Sequence, residues 1–349
     1  MYKLLICSLL IMVLYFIIMR GNKLLYNYRK KIYLVFASIL IFSLYAIVDT
    51  SGFPDLPIYE YVFEHIVRSG EIMLSYDVLE FEKGYLWLNI ILKHISDNYI
   101  VLRLVIAGFI VISLMRATYV YSDITWMTLI LFMCILMYPT IYTLRQSVSI
   151  FIFLCSIRYI INRNLVKYLI CIFIAFLFHK SVIVCVFLYF IYPLRINLKN
   201  LLLFVLFFVF LLFSMLSVLN FIGGYIIDVN PYILEDGETS SIRQLIIPFL
   251  TLLFILLCYR GQLNTMDGKN KLFLWMIVIN CGISFLYYSS TVFNQFYRLN
   301  YYFSFGTIYL IPNAICAIKT KYIKNISMVM WTLFWLAYIM IIINMQYGF

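Results

Sequence analysis

Two adjacent segments carry the side chains whose chemistry fits least with their surroundings. Arg145 and Gln146, preceded by Tyr142, open one apolar run, and the triplet His179-Lys180-Ser181 interrupts the next. An ionisable side chain at helix-centre depth in a bilayer costs roughly 2.5–3.5 kcal/mol on insertion scales, so Arg145, His179 and Lys180 need an aqueous outlet or a task. A third group, Arg298 with Tyr301 and Tyr302, repeats the pairing of a cation with tyrosines, and its spacing puts them on one helical face. A guanidinium meets phosphate oxygens two at a time, and a tyrosine offers a sugar its ring face and a hydroxyl. The three groups therefore suit an anionic, sugar-bearing ligand. The competing explanation is an interfacial aromatic belt with arginines that snorkel to head groups.

A transfer reaction also needs a base. His179 lies deep in apolar sequence, whereas His65 sits in a polar loop and His94 ends a short helix. An imidazole accepts a proton near neutral pH; the alternative is a structural histidine. Glu82 is the best-placed acid. It opens a polar stripe of Glu82, Tyr85, Asn89 and Lys93 along a helix expected over 82–95, with Leu88, Ile91 and Leu92 turned away from it. A carboxylate there could act as a general base on a sugar hydroxyl or coordinate a divalent cation. The helix is too short to cross a bilayer, so it either floats at the interface or re-enters to line a cavity.

The elements that must hold these residues are set by composition. The 349-residue chain is 65% hydrophobic and only 12% charged, with a mean hydropathy of +1.00. That is the signature of an integral membrane protein, and the apolar runs lack the alternation of a barrel, so the expectation is an all-α polytopic protein. About twelve spans are expected, at 2–19, 32–48, 99–117, 124–142, 146–161, 165–178, 181–194, 201–220, 244–259, 272–289, 299–317 and 326–345. The short pair flanking His179 would be tilted, broken or re-entrant. No small-residue cleavage site precedes Arg20, so the first run is expected to be kept as a span.

Charge sets the orientation. The net charge of +11 falls in clusters that alternate with the spans, the positive-inside pattern rather than a nucleic-acid surface. With Arg20 to Lys31 inside, the N-terminus lies outside, and the outer cations, Arg103, Arg145, Lys180 and Arg298 among them, occur singly at span ends. Each either snorkels to head groups or meets a ligand. The whole chain, 1–349, is expected to be one membrane domain with two external loops. The first, 49–83, holds more than half of the 15 acidic residues; the second, 221–243, could fold over the same face. The eight cysteines sit inside apolar runs without metal or redox spacing and count as small buried hydrophobes. No phosphate-binding loop, dinucleotide fingerprint or zinc motif is present, so substrate or energy must arrive lipid-linked or as a gradient.

The order of these residues resembles the EpsG-like branch of the Wzy-type polysaccharide polymerases. The resemblance rests on Arg145-Gln146, an apolar span, a short basic loop, and Ala175-Phe176-Leu177-Phe178-His179-Lys180-Ser181. Asp55 and Tyr59 echo that family's aspartate-tyrosine motif in the first external loop, and Glu82-Lys83-Gly84-Tyr85 its Glu-Pro-Gly-aromatic motif, with lysine in place of proline. Arg298 with Tyr301-Tyr302-Phe303 echoes a late Arg-aromatic motif.

The resemblance spans about residues 50 to 315. It implies a glycosyltransferase of GT-C-like architecture in the bacterial inner membrane. The enzyme would polymerise O-antigen or capsule repeat units on the periplasmic side, moving a glycan from undecaprenyl diphosphate to the next lipid-linked repeat. Arg145 and Arg298 would hold the diphosphate, and Glu82 or His179 would activate the acceptor. Gln146, Lys180, Ser181, Tyr85, Tyr142, Tyr301, Tyr302, Arg103, Asp55 and Tyr59 would bind substrate. No cofactor or metal site is expected, with a divalent cation left open at Glu82. Expected partners are the lipid-linked donor and acceptor, membrane lipid and a chain-length regulator protein, and no nucleic acid. A lipid-linked sugar flippase and a membrane O-acyltransferase are the alternatives; the two halves of the chain do not match as a transporter's tend to.

Overall fold

A computed structural model describes residues 2–21, 25–47, 55–65, 81–223, 242–289 and 297–347, and every regular element among them is helical. Many helices leave large apolar side chains uncovered: Ile112 is 62% exposed, Phe173 63% and Phe210 66%. Such faces are stable only against lipid or another apolar surface. Four helices are long and apolar enough to cross a membrane, at Ile100–Tyr121, Thr125–Tyr142, Leu144–Ile161 and Gly268–Ser289, and shorter apolar helices accompany them. Each apolar run expected as a span falls on helical structure, with 124–142 and 181–194 each divided among shorter elements.

The chain divides into two compact units, residues 1–186 with 319–349 and residues 187–318. The first begins with α1 (Tyr2–Met19), α2 (Tyr26–Ile47), α3 (Leu56–His65), α4 (Lys83–Lys93) and α5 (Ile100–Tyr121). It continues with α6 (Thr125–Phe132), α7 (Tyr138–Tyr142), α8 (Leu144–Ile161) and α9 (Leu165–Phe176), and takes in α15 (Lys321–Tyr347) from the end of the chain. Sequence neighbours pack together, α1 on α2 and α8 on α9, as short connections require, and α5 packs on both α2 and α8. Of the loop expected at 49–83, residues 49–54 and 66–80 lie outside the described residues, and what remains between them is Asp55 and the helix α3.

Two interruptions in this unit matter for the site. Between α6 and α7 the backbone widens into a π-turn at Met133–Met137, just ahead of Pro139, whose ring has no N–H to give and would crowd a regular turn. Hydroxyls take up the carbonyls of this stretch: Thr140 Oγ1 donates to Met137 O (2.8 Å), Thr143 Oγ1 to Pro139 O (2.9 Å) and Ser147 Oγ to Thr140 O (3.2 Å). Thr143, at φ −94° and ψ 63°, ends α7 and lets α8 restart, which puts Arg145 in the first turn of α8.

The second interruption is the passage around His179. It is broken: α9 runs for 12 residues, His179 is extended at φ −160° and ψ 123°, and a 3-10 turn over Lys180–Cys185 leads into α10 (Val186–Ile191). Tyr168 Oη donates to Cys185 O at 2.5 Å and ties the two halves together. Helix α4 buries its polar stripe. Its stripe members Tyr85 and Asn89 are fully buried, whereas Trp87 and Ile91 are exposed. Leu86, Ile90 and Leu92 are buried beside Tyr85 and Asn89, so the inward side of α4 carries the polar stripe together with part of its apolar surface.

The second unit holds α11 (Leu198–Gly223), α12 (Ile242–Cys258), α13 (Gly268–Ser289) and α14 (Asn300–Ala317). Residues 224–241, the body of the expected second loop, lie outside the described residues. Helix α14 is buried along most of its length, and it pairs with α13 through Asn313 Nδ2 to Asn270 Oδ1 (2.7 Å) and Asn300 Nδ2 to Ser284 Oγ (3.1 Å). Amide bonds of this kind fix one register between apolar helices that could otherwise slide.

Candidate active site

The first unit brings Glu82, Arg145 and His179 into one cluster from three separate elements. Glu82 stands at the start of α4, Arg145 in the first turn of α8, and His179 at the break after α9. Arg145 Nη1 donates to Glu82 Oε2 at 2.6 Å, and His179 Nδ1 lies 3.1 Å from Glu82 Oε1. The Lys180 backbone N–H reaches the same Oε1 at 3.4 Å. The carboxylate side chain is 8% exposed, against 24% for Arg145 and 22% for His179, so the anion is the hidden partner and the two cationic or basic groups face outward past it.

Burial alone would raise the Glu82 pKa. The hydrogen bond from His179 and the charge of Arg145 outweigh it and push the group down to about 2 from the usual 4.5. An anion of this kind only accepts hydrogen bonds, so the contact with His179 requires the proton on Nδ1 and leaves Nε2 as the position open to exchange. Because the folded-state pKa is depressed, the pairing contributes its full stability above about pH 4.5 and loses it as the pH falls toward 2. The thermal midpoint of the detergent-solubilised protein should therefore drop over that window, and the drop should be smaller in Glu82→Gln.

Aromatic rings complete the setting of Arg145. Its guanidinium lies 4.2 Å from the Phe81 ring centroid and 5.8 Å from that of Tyr59. Tyr59, Phe81 and Tyr85 in turn pack on one another at 5.6 to 6.0 Å between centroids. Stacking on Phe81 holds the guanidinium plane, Tyr59 adds a side-chain hydrogen bond to it, and Arg145 Nε has no hydrogen-bond partner among the described residues. The first turn of α8 adds to the same field. Thr143 spends its hydroxyl on Pro139 O and makes no side-chain cap, so this helix end presents the positive pole of its dipole beside Arg145. A cation at a helix N-terminus is unfavourable by itself; Glu82 balances it, and a bound anion would do so further.

Other residues singled out in the sequence lie at varying removes. Tyr59 and Tyr85 belong to the aromatic cluster. Asp55 heads α3, its carbonyl accepting the Tyr59 N–H at 3.3 Å. Arg103 donates to Tyr45 O at 3.3 Å, in a crevice also lined by Thr140, Ile141 and Leu144, the residue next to Arg145. Gln146 is buried, Ser181 and Tyr142 are half-buried, and Tyr142 packs edge-on against Tyr138. Lys180 points its side chain outward. Arg298, Tyr301 and Tyr302 belong to the second unit, where Arg298 is exposed, Tyr301 packs on Tyr297 at 5.6 Å, and Tyr302 is fully buried.

Two further contributors add to the site: Phe81, which the sequence did not mark out, and Gly84, which entered there only as part of the Glu82-Lys83-Gly84-Tyr85 motif. Phe81 is an unremarkable aromatic until its ring is found under Arg145. Gly84 matters through its backbone, which donates to Leu177 O at 2.8 Å. Among the described residues no group of three or more His, Cys, Asp or Glu side chains converges on one point.

Helices with exposed apolar faces around a part-buried Arg-Glu-His cluster define a membrane protein with a polar site set between its helices. The family comparison is more specific: the EpsG family model matches residues 34–347, and the chain belongs to that family, whose members are Wzy-like polysaccharide polymerases. No curated protein and no solved structure matches the chain.

Proposed function

We propose that this chain is the repeat-unit polymerase of an O-antigen or capsule pathway, working at the periplasmic face of a bacterial inner membrane. It would have about twelve spans in a GT-C-like arrangement. It takes a growing glycan from undecaprenyl diphosphate and joins it to the next lipid-linked repeat. The observation that carries the reading is the shared carboxylate: Glu82 binds Arg145 through one oxygen and His179 through the other.

That sharing divides the labour of a glycosyl transfer. The acceptor hydroxyl forms a bond to the anomeric carbon, the bond from that carbon to the diphosphate breaks, and the hydroxyl proton passes to Nε2 of His179. Glu82 keeps the Nδ1 proton in place and offsets the charge that appears on the ring, as an orienting carboxylate does beside a catalytic histidine. A carboxylate held near pKa 2 is too weak a base for the hydroxyl itself, which favours His179 over Glu82 for that role. Arg145, whose side chain is 24% exposed, receives the charge of the departing diphosphate with help from the N-terminus of α8. Arg298 serves as the second diphosphate ligand. Tyr85, Tyr142, Gln146, Lys180, Ser181, Tyr301 and Tyr302 hold sugars, with Arg103, Asp55 and Tyr59 at the margin. A chain-length regulator is the expected protein partner.

The deciding experiment is where uncapped precursor collects in a strain lacking the gene. Lipid-linked single repeats should accumulate on the outer leaflet, open to an added periplasmic glycosidase. Accumulation on the cytoplasmic leaflet would mean a flippase instead.

A further inference from the structure

Gly84 and the Leu177 carbonyl form a backbone clamp that neither charge nor composition announces. The Gly84 N–H donates to Leu177 O at 2.8 Å, and a Cβ built on Gly84 would stand 2.7 Å from that oxygen and 2.8 Å from the Leu177 Cβ. Real Cβ atoms do not approach so closely, so any larger residue forces α4 and the end of α9 apart by several tenths of an ångström. The two sides of the clamp are each two residues from a member of the cluster: Glu82 precedes Gly84, and His179 follows Leu177. No side chain between them has the freedom to absorb the shift, because Glu82 is already drawn to Arg145 on its other oxygen.

We propose that Gly84 is a positioning residue of the polymerase: its lack of a side chain lets the start of α4 dock on the Leu177 carbonyl, and this docking sets the Glu82–His179 contact. The inference rests on the reading of Glu82 and His179 as a working pair. Leu177 contributes through its carbonyl, which lies beyond the last turn of α9 and would otherwise want a donor. The 3-10 turn that follows leaves His179 extended, so the position of the imidazole follows the position of Leu177.

The test is a double-mutant cycle on the full-length protein in membranes, reading elongation rate per molecule of inserted protein with lipid-linked repeat as substrate. Gly84→Ala should lower the rate about tenfold at unchanged substrate half-saturation, since a misplacement near 1 Å costs up to roughly 10²-fold. In a Glu82→Gln background, where no carboxylate remains to be aimed, the same change should cost no more than about twofold. Leu177→Gly, which removes the Cβ and loosens the carbonyl, should restore part of the rate lost in Gly84→Ala. Losses that multiply across the cycle, or the absence of any rescue by Leu177→Gly, would overturn the positioning role while leaving the catalytic pair intact. A normal rate in Glu82→Gln alone would overturn the pair, and the clamp's role with it.

Discussion

Arg145→Ala should reduce the product to single repeat units, with a loss in turnover on the order of 10²–10³-fold, the range seen when one preorganised donor to a developing oxyanion is removed. Two effects combine. The diphosphate loses the guanidinium that would receive its charge, and Glu82, 8% exposed, loses its closest partner at 2.6 Å. Stranding one member of a buried ion pair costs about 3–5 kcal/mol, so the variant is also expected to be present in smaller amounts. The double variant Arg145→Ala/Glu82→Gln separates these effects. Removing the stranded charge should return protein levels toward wild type while chain length stays at one repeat. Arg145→Lys should fall between, because an ammonium keeps the charge but neither forks to two oxygens nor stacks flat on Phe81, whose ring centroid is 4.2 Å away. Gel analysis of the glycan ladder beside an immunoblot of the membrane fraction reads both outcomes. Full-length ladders from Arg145→Ala would remove the arginine from the mechanism.

His179→Ala should be the second severe variant, with elongation slowed roughly 10²–10⁴-fold, the usual contribution of a positioned base. Unlike Arg145→Ala it should leave protein levels near normal. Glu82 keeps its 2.6 Å partner in Arg145, so no buried charge is stranded. Donor binding should also persist, because the diphosphate contacts are made elsewhere. The combination of retained protein, retained lipid-linked substrate binding and lost elongation is specific to a base. His179→Gln gives a further check, since an amide can still bond to Glu82 but cannot take up the acceptor proton; it should be as slow as alanine. A rapid His179→Gln enzyme would reassign the residue to a structural role.

The sequence by itself determined the class of the molecule and singled out the candidate residues of its site. A chain this apolar can satisfy its backbone in lipid only as helices or a closed barrel, and its apolar runs lack a barrel's alternation, so all-helical structure followed from composition and pattern. Arginine and histidine inside apolar runs are costly enough to flag Arg145 and His179 without any structure. Periodicity placed Glu82 and Tyr85 on one stripe of a short helix, and the stripe is real. The direction it faces was not fixed, because a period says which residues share a side and nothing about what lies opposite. Packing turned the stripe inward, where Tyr85 and Asn89 are fully buried.

Only the tertiary structure decided how the groups combine. Glu82 and His179 are 97 positions apart and Glu82 and Arg145 are 63 apart, so local spacing could not show that one carboxylate serves both. That shared contact lowers the Glu82 pKa, and this is what favours the imidazole as base in the proposed mechanism, a distinction the sequence left open between the two residues. Phe81 was not singled out, and Gly84 appeared only as part of a motif with no role of its own, for a related reason. A ring beneath a guanidinium and a glycine against a distant carbonyl act through proximity and shape, and neither leaves a charge or a period to read. The two interruptions, at Thr143 and at His179, are where both kinds of information meet. Each is foreshadowed by a polar residue in an apolar run, and each becomes a site only because tertiary packing brings the two broken ends to the same carboxylate.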